Sequence, residues 1–182
     1  MAPRCAAAAL ALASLSAAPV ASAYTQWSAA VTLGVGGTVT PEAQREVLWT
    51  LGLRADVMFG PRTPYGARVG PFVALRTDDF FDLSAMAGAS VQLPVSPTFP
   101  LVLSAGGAVD LLRDPVAPGV FGRLWWGSRS LNYHASYGMA AGLWVEARYF
   151  PGDERADVIA GLDADLGFIT LPLVALYEWI RR

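Results

Sequence analysis

The sequence predicts an all-β fold, an eight-stranded antiparallel up-and-down transmembrane β-barrel with a short C-terminal helix. Three observations predict it. Apolar residues recur at every second position in eight separate segments, the period of a strand with two chemically different faces. Most of these segments run to 11–15 residues, whereas strands of soluble domains usually have about 5 or 6 and a tilted membrane strand needs about 9–11. The polar side of the alternation carries charges of both signs in near balance, which suits a narrow interior where charges must pair.

Taken in order, residues 24–36 set Trp27, Ala29, Val31, Leu33 and Val35 against Gln26, Ser28, Thr32 and Gly34. The pattern is clearest in 47–59, where Val47, Trp49, Leu51, Leu53, Ala55, Val57 and Phe59 oppose Thr50, Gly52, Arg54 and Asp56. Segment 66–76 sets Ala67, Val69, Val73 and Leu75 against Arg68, Gly70 and Arg76, and 80–93 sets Phe81, Leu83, Ala85, Ala87, Val91 and Leu93 against Asp82, Ser84, Gly88 and Gln92. In 100–112, Leu101, Leu103, Ala105, Val109 and Leu111 oppose Ser104, Gly106 and Asp110. Segment 119–129 is less regular; Arg123 assigns the odd positions inward and Val120, Leu124 and Trp126 outward. Residues 136–150 set Tyr137, Met139, Ala141, Leu143, Val145, Ala147 and Tyr149 against Gly138, Gly142, Glu146 and Arg148. The last segment, 156–169, sets Val158, Ala160, Leu162, Ala164, Leu166 and Phe168 against Asp157, Gly161, Asp163 and Asp165. Turn-rich links such as Gly60-Pro61-Arg62-Thr63-Pro64, Arg113-Asp114-Pro115 and Pro151-Gly152-Asp153 separate the segments, so a meander of hairpins is expected.

Three stretches follow. Residues 1–23 read as a secretory signal peptide, with Arg4, an apolar run from Cys5 to Ala18 and the small-residue site Ala21-Ser22-Ala23. Its removal leaves no cysteine, so the exported domain is expected to hold together without disulfides. Residues 24–169 form the barrel domain. Residues 170–182 are a C-terminal amphipathic tail: Leu173, Leu176, Tyr177 and Ile180 follow helical spacing, and Arg181 and Arg182 stand where a helix dipole favours cations. That helix could lie on the inner membrane surface or plug the mouth of the barrel, with an extension of the final strand as the alternative.

The chain has 182 residues, 54% of them apolar and 15% charged, with a net charge of −2 and a mean hydropathy of +0.40. These values exclude a disordered solvating chain and give no electrostatic basis for nucleic-acid binding. Alternation alone does not separate a membrane barrel, with its apolar face outward, from a soluble lipocalin-like calyx, with its apolar face inward. The polar inventory does. With no lysine, one asparagine and three glutamines, the chain has too little polar surface to clothe a soluble barrel.

The expected lumen charge network is Arg54, Asp56, Arg68, Arg76, Asp82, Asp110, Arg123, Glu146, Arg148, Asp163 and Asp165. Aromatic girdles are expected from Tyr24, Trp27, Phe59, Tyr65 and Tyr137 at one rim and from Phe80, Phe81, Tyr149 and Phe150 at the other. On these features the chain resembles the small eight-stranded bacterial outer-membrane barrel proteins. The resemblance covers about residues 24–169 and is architectural, with no family-specific motif. It implies residence in a bacterial outer membrane, contact with outer-membrane lipids and insertion by barrel-assembly machinery. Two departures stand out: Phe168 is followed by 14 further residues, and the outer connections near 37–46, 77–80, 113–118 and 151–155 are short.

No motif carries chemistry strongly. His134, the single histidine, lies near Ser128, Ser130 and Ser136, which suggests a lipid-modifying nucleophile and base, but no third orienting carboxylate is placed beside them. Asp163 and Asp165 could share a proton or hold a cation, and are expected instead to pair with lumen arginines. Asp78, Asp79 and Asp82 could hold calcium, and read as an exposed acidic turn. Gly34-Val35-Gly36-Gly37 lacks the Lys-Ser/Thr of a phosphate loop and reads as a tight exit from the first strand. No metal, cofactor or catalytic residue is assigned. The expected role is structural or surface-binding, with a closed lumen. The alternatives are a transport module for small apolar molecules and a soluble periplasmic ligand-binding barrel.

Overall fold

Each alternating segment becomes a strand, and the eight close into one barrel. The computed structural model describes residues 24–40, 45–63, 66–96, 98–112, 116–129 and 140–181. The strands are β1 (Tyr24–Val39), β2 (Arg45–Gly60), β3 (Arg68–Asp78), β4 (Asp82–Leu93), β5 (Leu101–Asp110), β6 (Ala117–Arg129), β7 (Ala140–Phe150) and β8 (Arg155–Asp165), followed by helix α1 (Leu166–Arg181). The expected signal peptide, Tyr65, Ser130, His134, Ser136 and Tyr137 lie outside the described residues.

Every strand pairs antiparallel with its neighbour in sequence, and β8 returns to β1. Closure is set by cross-strand matches such as Leu33↔Leu162 and Val31↔Leu53, which keep apolar side chains in register on one face. With no free edge, backbone donors and acceptors find partners within the wall, the condition a membrane imposes on any spanning sheet. One ladder is interrupted. The β2–β3 pairing runs to Asp56↔Phe72 and resumes at Phe59↔Val69; Pro71, which has no N–H to give, sits at the break.

Two strand ends differ from expectation. The Gly34–Gly37 stretch is no exit: β1 continues through it to Val39. Its partners explain this, since Gly34 and Gly36 oppose Gly161 and Ile159 of β8 and let the strands approach closely. At the other end, β8 stops at Asp165 rather than Phe168, and the helix starts at Leu166. Asp165 Oδ1 accepts the Gly167 N–H at 2.8 Å, so this carboxylate caps the helix and turns the chain out of the sheet.

The antiparallel order puts the connections after β1, β3, β5 and β7 at one end of the barrel. The start of β1 and α1 lie at the other. The β3–β4 connection is a tight turn with Asp79 and Phe80 both left-handed, at φ 50° and 65°. That is the type I′ pattern, strained for a residue as bulky as Phe. Two bonds to β2 hold it: Trp49 N–H donates to Asp79 Oδ1 at 2.8 Å, and Asp79 N–H donates to the Trp49 carbonyl at 2.7 Å.

Candidate functional site

The interior holds the chemistry. Among the described residues, seven arginines (54, 68, 76, 123, 129, 148 and 155) and seven carboxylates (Asp56, Asp78, Asp110, Glu146, Asp157, Asp163 and Asp165) are buried. The lumen is therefore neutral in formal charge. All lie on the inward parity of their strands, which the alternation dictates once one face is apolar.

Glu146 is the hub. It takes both guanidinium nitrogens of Arg76, and Arg123 and Arg148 stand 3.9 and 3.8 Å away. Arg123 also pairs with Asp163. Arg148 continues to Asp78 at 2.8 Å and to Asp157 at 3.3 Å, and Arg155 joins Asp157 to Asp110 at 3.6 and 3.3 Å. A second group sits toward the N-terminal end: Arg129 pairs with Asp56 at 2.6 Å, and Arg54 donates to Ser90 and Ser104 at 2.8 and 2.9 Å. Arg68 donates to the carbonyls of Pro61 and Thr63, clamping the β2–β3 link.

Aromatic and aliphatic side chains fill what remains. One cluster joins Leu48, Met58, Val102, Trp125, Trp144 and Ile159, and another joins Phe72, Met86, Phe121 and Phe150. Guanidinium groups lie over these rings: Arg54 over Phe72 at 3.9 Å, Arg155 over Phe150 at 4.3 Å and Arg123 over Trp144 at 4.4 Å. A cavity between Arg54, Asp56, Arg123 and Asp163 has about 20 Å³, room for one water.

The positions expected from sequence fall out as follows. Arg54, Asp56, Arg68, Arg76, Asp110, Arg123, Glu146, Arg148, Asp163 and Asp165 are all buried in the lumen. Asp82 is half-buried where β4 begins, and Asp165 serves the helix cap. Trp27, Phe59, Phe80, Phe81 and Tyr149 are exposed on the outer face. Tyr24 and Phe150 are corrections to the girdle. Both are buried, because they share inward parity with Gln26 and with Glu146 and Arg148. Trp49, Phe99 and Trp126 stand exposed in their place, with Phe99 and Trp126 in ring contact at 5.9 Å.

The acidic triplet at the β3–β4 turn separates: Asp78 is buried on Arg148, Asp79 bonds the Trp49 backbone and Asp82 opens β4. Sequence reasoning left Asp78, Arg129, Arg155 and Asp157 out of the network. Extending the alternation of 66–76 and of 156–169 by one step reaches Asp78 and Arg155, while Arg129 and Asp157 lie on the inward positions of 119–129 and 156–169 themselves. Among the described residues no group of three or more His, Cys, Asp or Glu could hold a metal ion.

The outer face is the reverse of the lumen. Apart from Thr25, Thr77 and Ser128, each one residue in from a strand end, every outward position between the strand ends of β1 to β8 is apolar, glycine or proline, with no charge. Leu33, Trp49, Leu53, Val73, Leu75, Leu143, Val145, Val158 and Leu162 are each more than half exposed. Small residues at 29, 55, 85, 87 and 107 leave an outer groove of about 770 Å³, walled by Leu53, Val73, Leu75, Val109 and Leu166.

This is an eight-stranded closed barrel of transmembrane-strand character. No family model matches the chain, and no curated protein matches it. Two solved structures are similar. One, from de novo design of transmembrane β-barrels, shares 14% identity over 75% of this chain and 94% of that one, with a TM-score of 0.38. The other, the solution NMR structure of de novo designed TMB2.3, shares 14% identity over 77% and 95%, with a TM-score of 0.40.

Proposed function

We propose that the protein is a bacterial outer-membrane β-barrel, exported by residues 1–23, with a closed, salt-bridged lumen and a structural or surface-binding role. The observation that carries this reading is the inverted polarity of the barrel: a charge-free apolar exterior around the whole circumference and paired charges inside. A soluble calyx needs the opposite arrangement. In water, the exposed Leu, Val and Trp of the belt would each forgo about 1.5–3 kcal/mol of burial; in lipid they meet their own kind.

The packed lumen disfavours the transport alternative, since about 20 Å³ at the Arg54 cavity admits no organic solute. What remains for recognition is the end formed by the connections after β1, β3, β5 and β7. There Phe80 and Phe81 are 75% and 83% exposed. Binding at this end is the role the fold leaves open.

Fractionation tests the membrane reading. Expected are recovery in the outer membrane and a band whose electrophoretic mobility changes on boiling; soluble periplasmic recovery without a shift overturns it. A substitution sharpens the test. Val145→Arg, in the middle of β7 and 51% exposed, is expected to cost about 2–4 kcal/mol in bilayer unfolding experiments. The same change on a water-facing surface is worth about ±0.5 kcal/mol.

A further inference from the structure

We propose that α1 is a membrane-surface helix, lying in the headgroup region of the leaflet at the N-terminal end of the barrel with its apolar side toward the acyl chains. The inference rests on the membrane reading above and gives a partner to a segment that reading leaves unused.

The helix follows β8 with no intervening linker, its first turn fixed by the Asp165 bond to Gly167 N–H. Leu166 then lines the same outer groove as Ala29 and Leu53, and a second hollow joins Trp27 and Ala29 to Leu166, Gly167 and Thr170. The helix thus starts on the lipid-facing belt and continues it. It does not plug the lumen, because its contacts with the barrel fall chiefly on β8 and β1. At about 100° per residue, Leu166, Phe168, Leu176, Tyr177, Trp179 and Ile180 fall on one side and Thr170, Glu178 and Arg181 on the other.

That apolar side is uncovered. Tyr177, Trp179 and Ile180 are 60%, 75% and 70% exposed. Trp179 lies about 160° around the helix from Arg181, whereas Tyr177 stands one turn before Arg181 at the border of the two sides. An amphipathic helix of this kind matches the interface, where rings sit at headgroup level and charges reach water. Among the described residues no helix is long and apolar enough to cross a bilayer.

Single cysteines in the full-length chain test this in a Cys5→Ser background, Cys5 being its one cysteine. Trp179→Cys, Arg181→Cys and Val145→Cys would each carry an environment-sensitive fluorophore, the first two lying about 160° apart on the helix. Each is folded into vesicles of phosphatidylethanolamine and phosphatidylglycerol, with the heat-dependent mobility shift as the check of folding. The label at 179 is expected to resist aqueous iodide roughly fivefold better than that at 181 and to be quenched by headgroup-level nitroxide lipid. The label at 145 is expected to be quenched by deep nitroxide lipid.

Equal iodide access at 179 and 181, with 145 still quenched by deep nitroxide, overturns the surface helix and leaves the barrel reading standing. Iodide access at 145 removes the membrane reading and this proposal with it. Protection at 179 accompanied by energy transfer between copies, unchanged on lipid dilution, overturns the proposal in favour of a second copy covering α1.

Discussion

Replacing Glu146 with alanine is expected to destabilise the barrel by about 3–5 kcal/mol, the cost of leaving buried charge without its partner. The geometry puts this residue above the other lumen carboxylates. Glu146 is 1% exposed and stands against three guanidinium groups, and for Arg76 it is the carboxylate that takes both ends of the fork. Arg123 retains Asp163 and Arg148 retains Asp78 and Asp157, so the stranded charge is that of Arg76. Removing both partners is the control. Arg76→Met combined with Glu146→Leu leaves each remaining arginine paired, and is expected to recover most of the loss or to be neutral. Denaturant titration of vesicle-inserted protein measures both variants. A loss below about 1 kcal/mol for Glu146→Ala would mean that water solvates the lumen and that the pairs carry little stability.

Such a lumen explains why its members were mostly legible in sequence and its extent was not. Side-chain parity is local: a strand with Leu51, Leu53 and Ala55 on one side has Gly52, Arg54 and Asp56 on the other whatever its neighbours do. Face assignment therefore needed no knowledge of pairing. Strand ends do need it. Arg129 and Arg155 lie at the last residue of β6 and the first of β8, where turn chemistry and alternation overlap, and they join the lumen because their strands run to meet Ala140 and Phe150. The start of α1 had a signal in Asp165, a good N-cap residue before an apolar run, but strand parity assigned it to the lumen as well. The structure gives it both positions, inward-facing and capping.

The aromatic residues taught the reverse lesson. Tyr149 and Phe150 are adjacent, and rim proximity placed both on the girdle. Parity separates them, sending Tyr149 to the outer face and Phe150 beneath Arg155. A narrow barrel must be filled by its own side chains, and small inward residues such as Gly34, Gly142 and Gly161 leave volume that only rings can occupy. The abundance of inward glycine is thus a sign of aromatic packing, not of open space.

That relation yields the second large effect. Trp144 is 2% exposed and lies opposite Gly161, which lies opposite Gly34 across the closing seam. Arg76 and Arg123 both stack on its ring, at 5.0 and 4.4 Å. Trp144→Ala is expected to cost about 3–5 kcal/mol, combining lost burial with a cavity. Gly34→Ala is expected to cost about 1–3 kcal/mol by overpacking, because its new Cβ would stand 2.7 Å from the Trp144 ring and 2.9 Å from Thr50 Cγ2. The two should couple. With the ring gone, the added methyl enters vacated space, so the Gly34→Ala penalty is expected to shrink by roughly 0.5–3 kcal/mol in the Trp144→Ala background. Gly161→Ala provides the contrast. There the Cβ would meet Trp144 Cζ2 at 2.6 Å but also the Leu33 carbonyl oxygen at 2.0 Å, and that backbone obstacle in the β1–β8 seam remains when the ring is removed. Rescue of Gly34→Ala but not of Gly161→Ala, read from unfolding midpoints of the single and double variants, would assign Gly34 to ring packing and Gly161 to closure of the barrel. Equal rescue of both would place the ring, rather than the seam, in control of both positions.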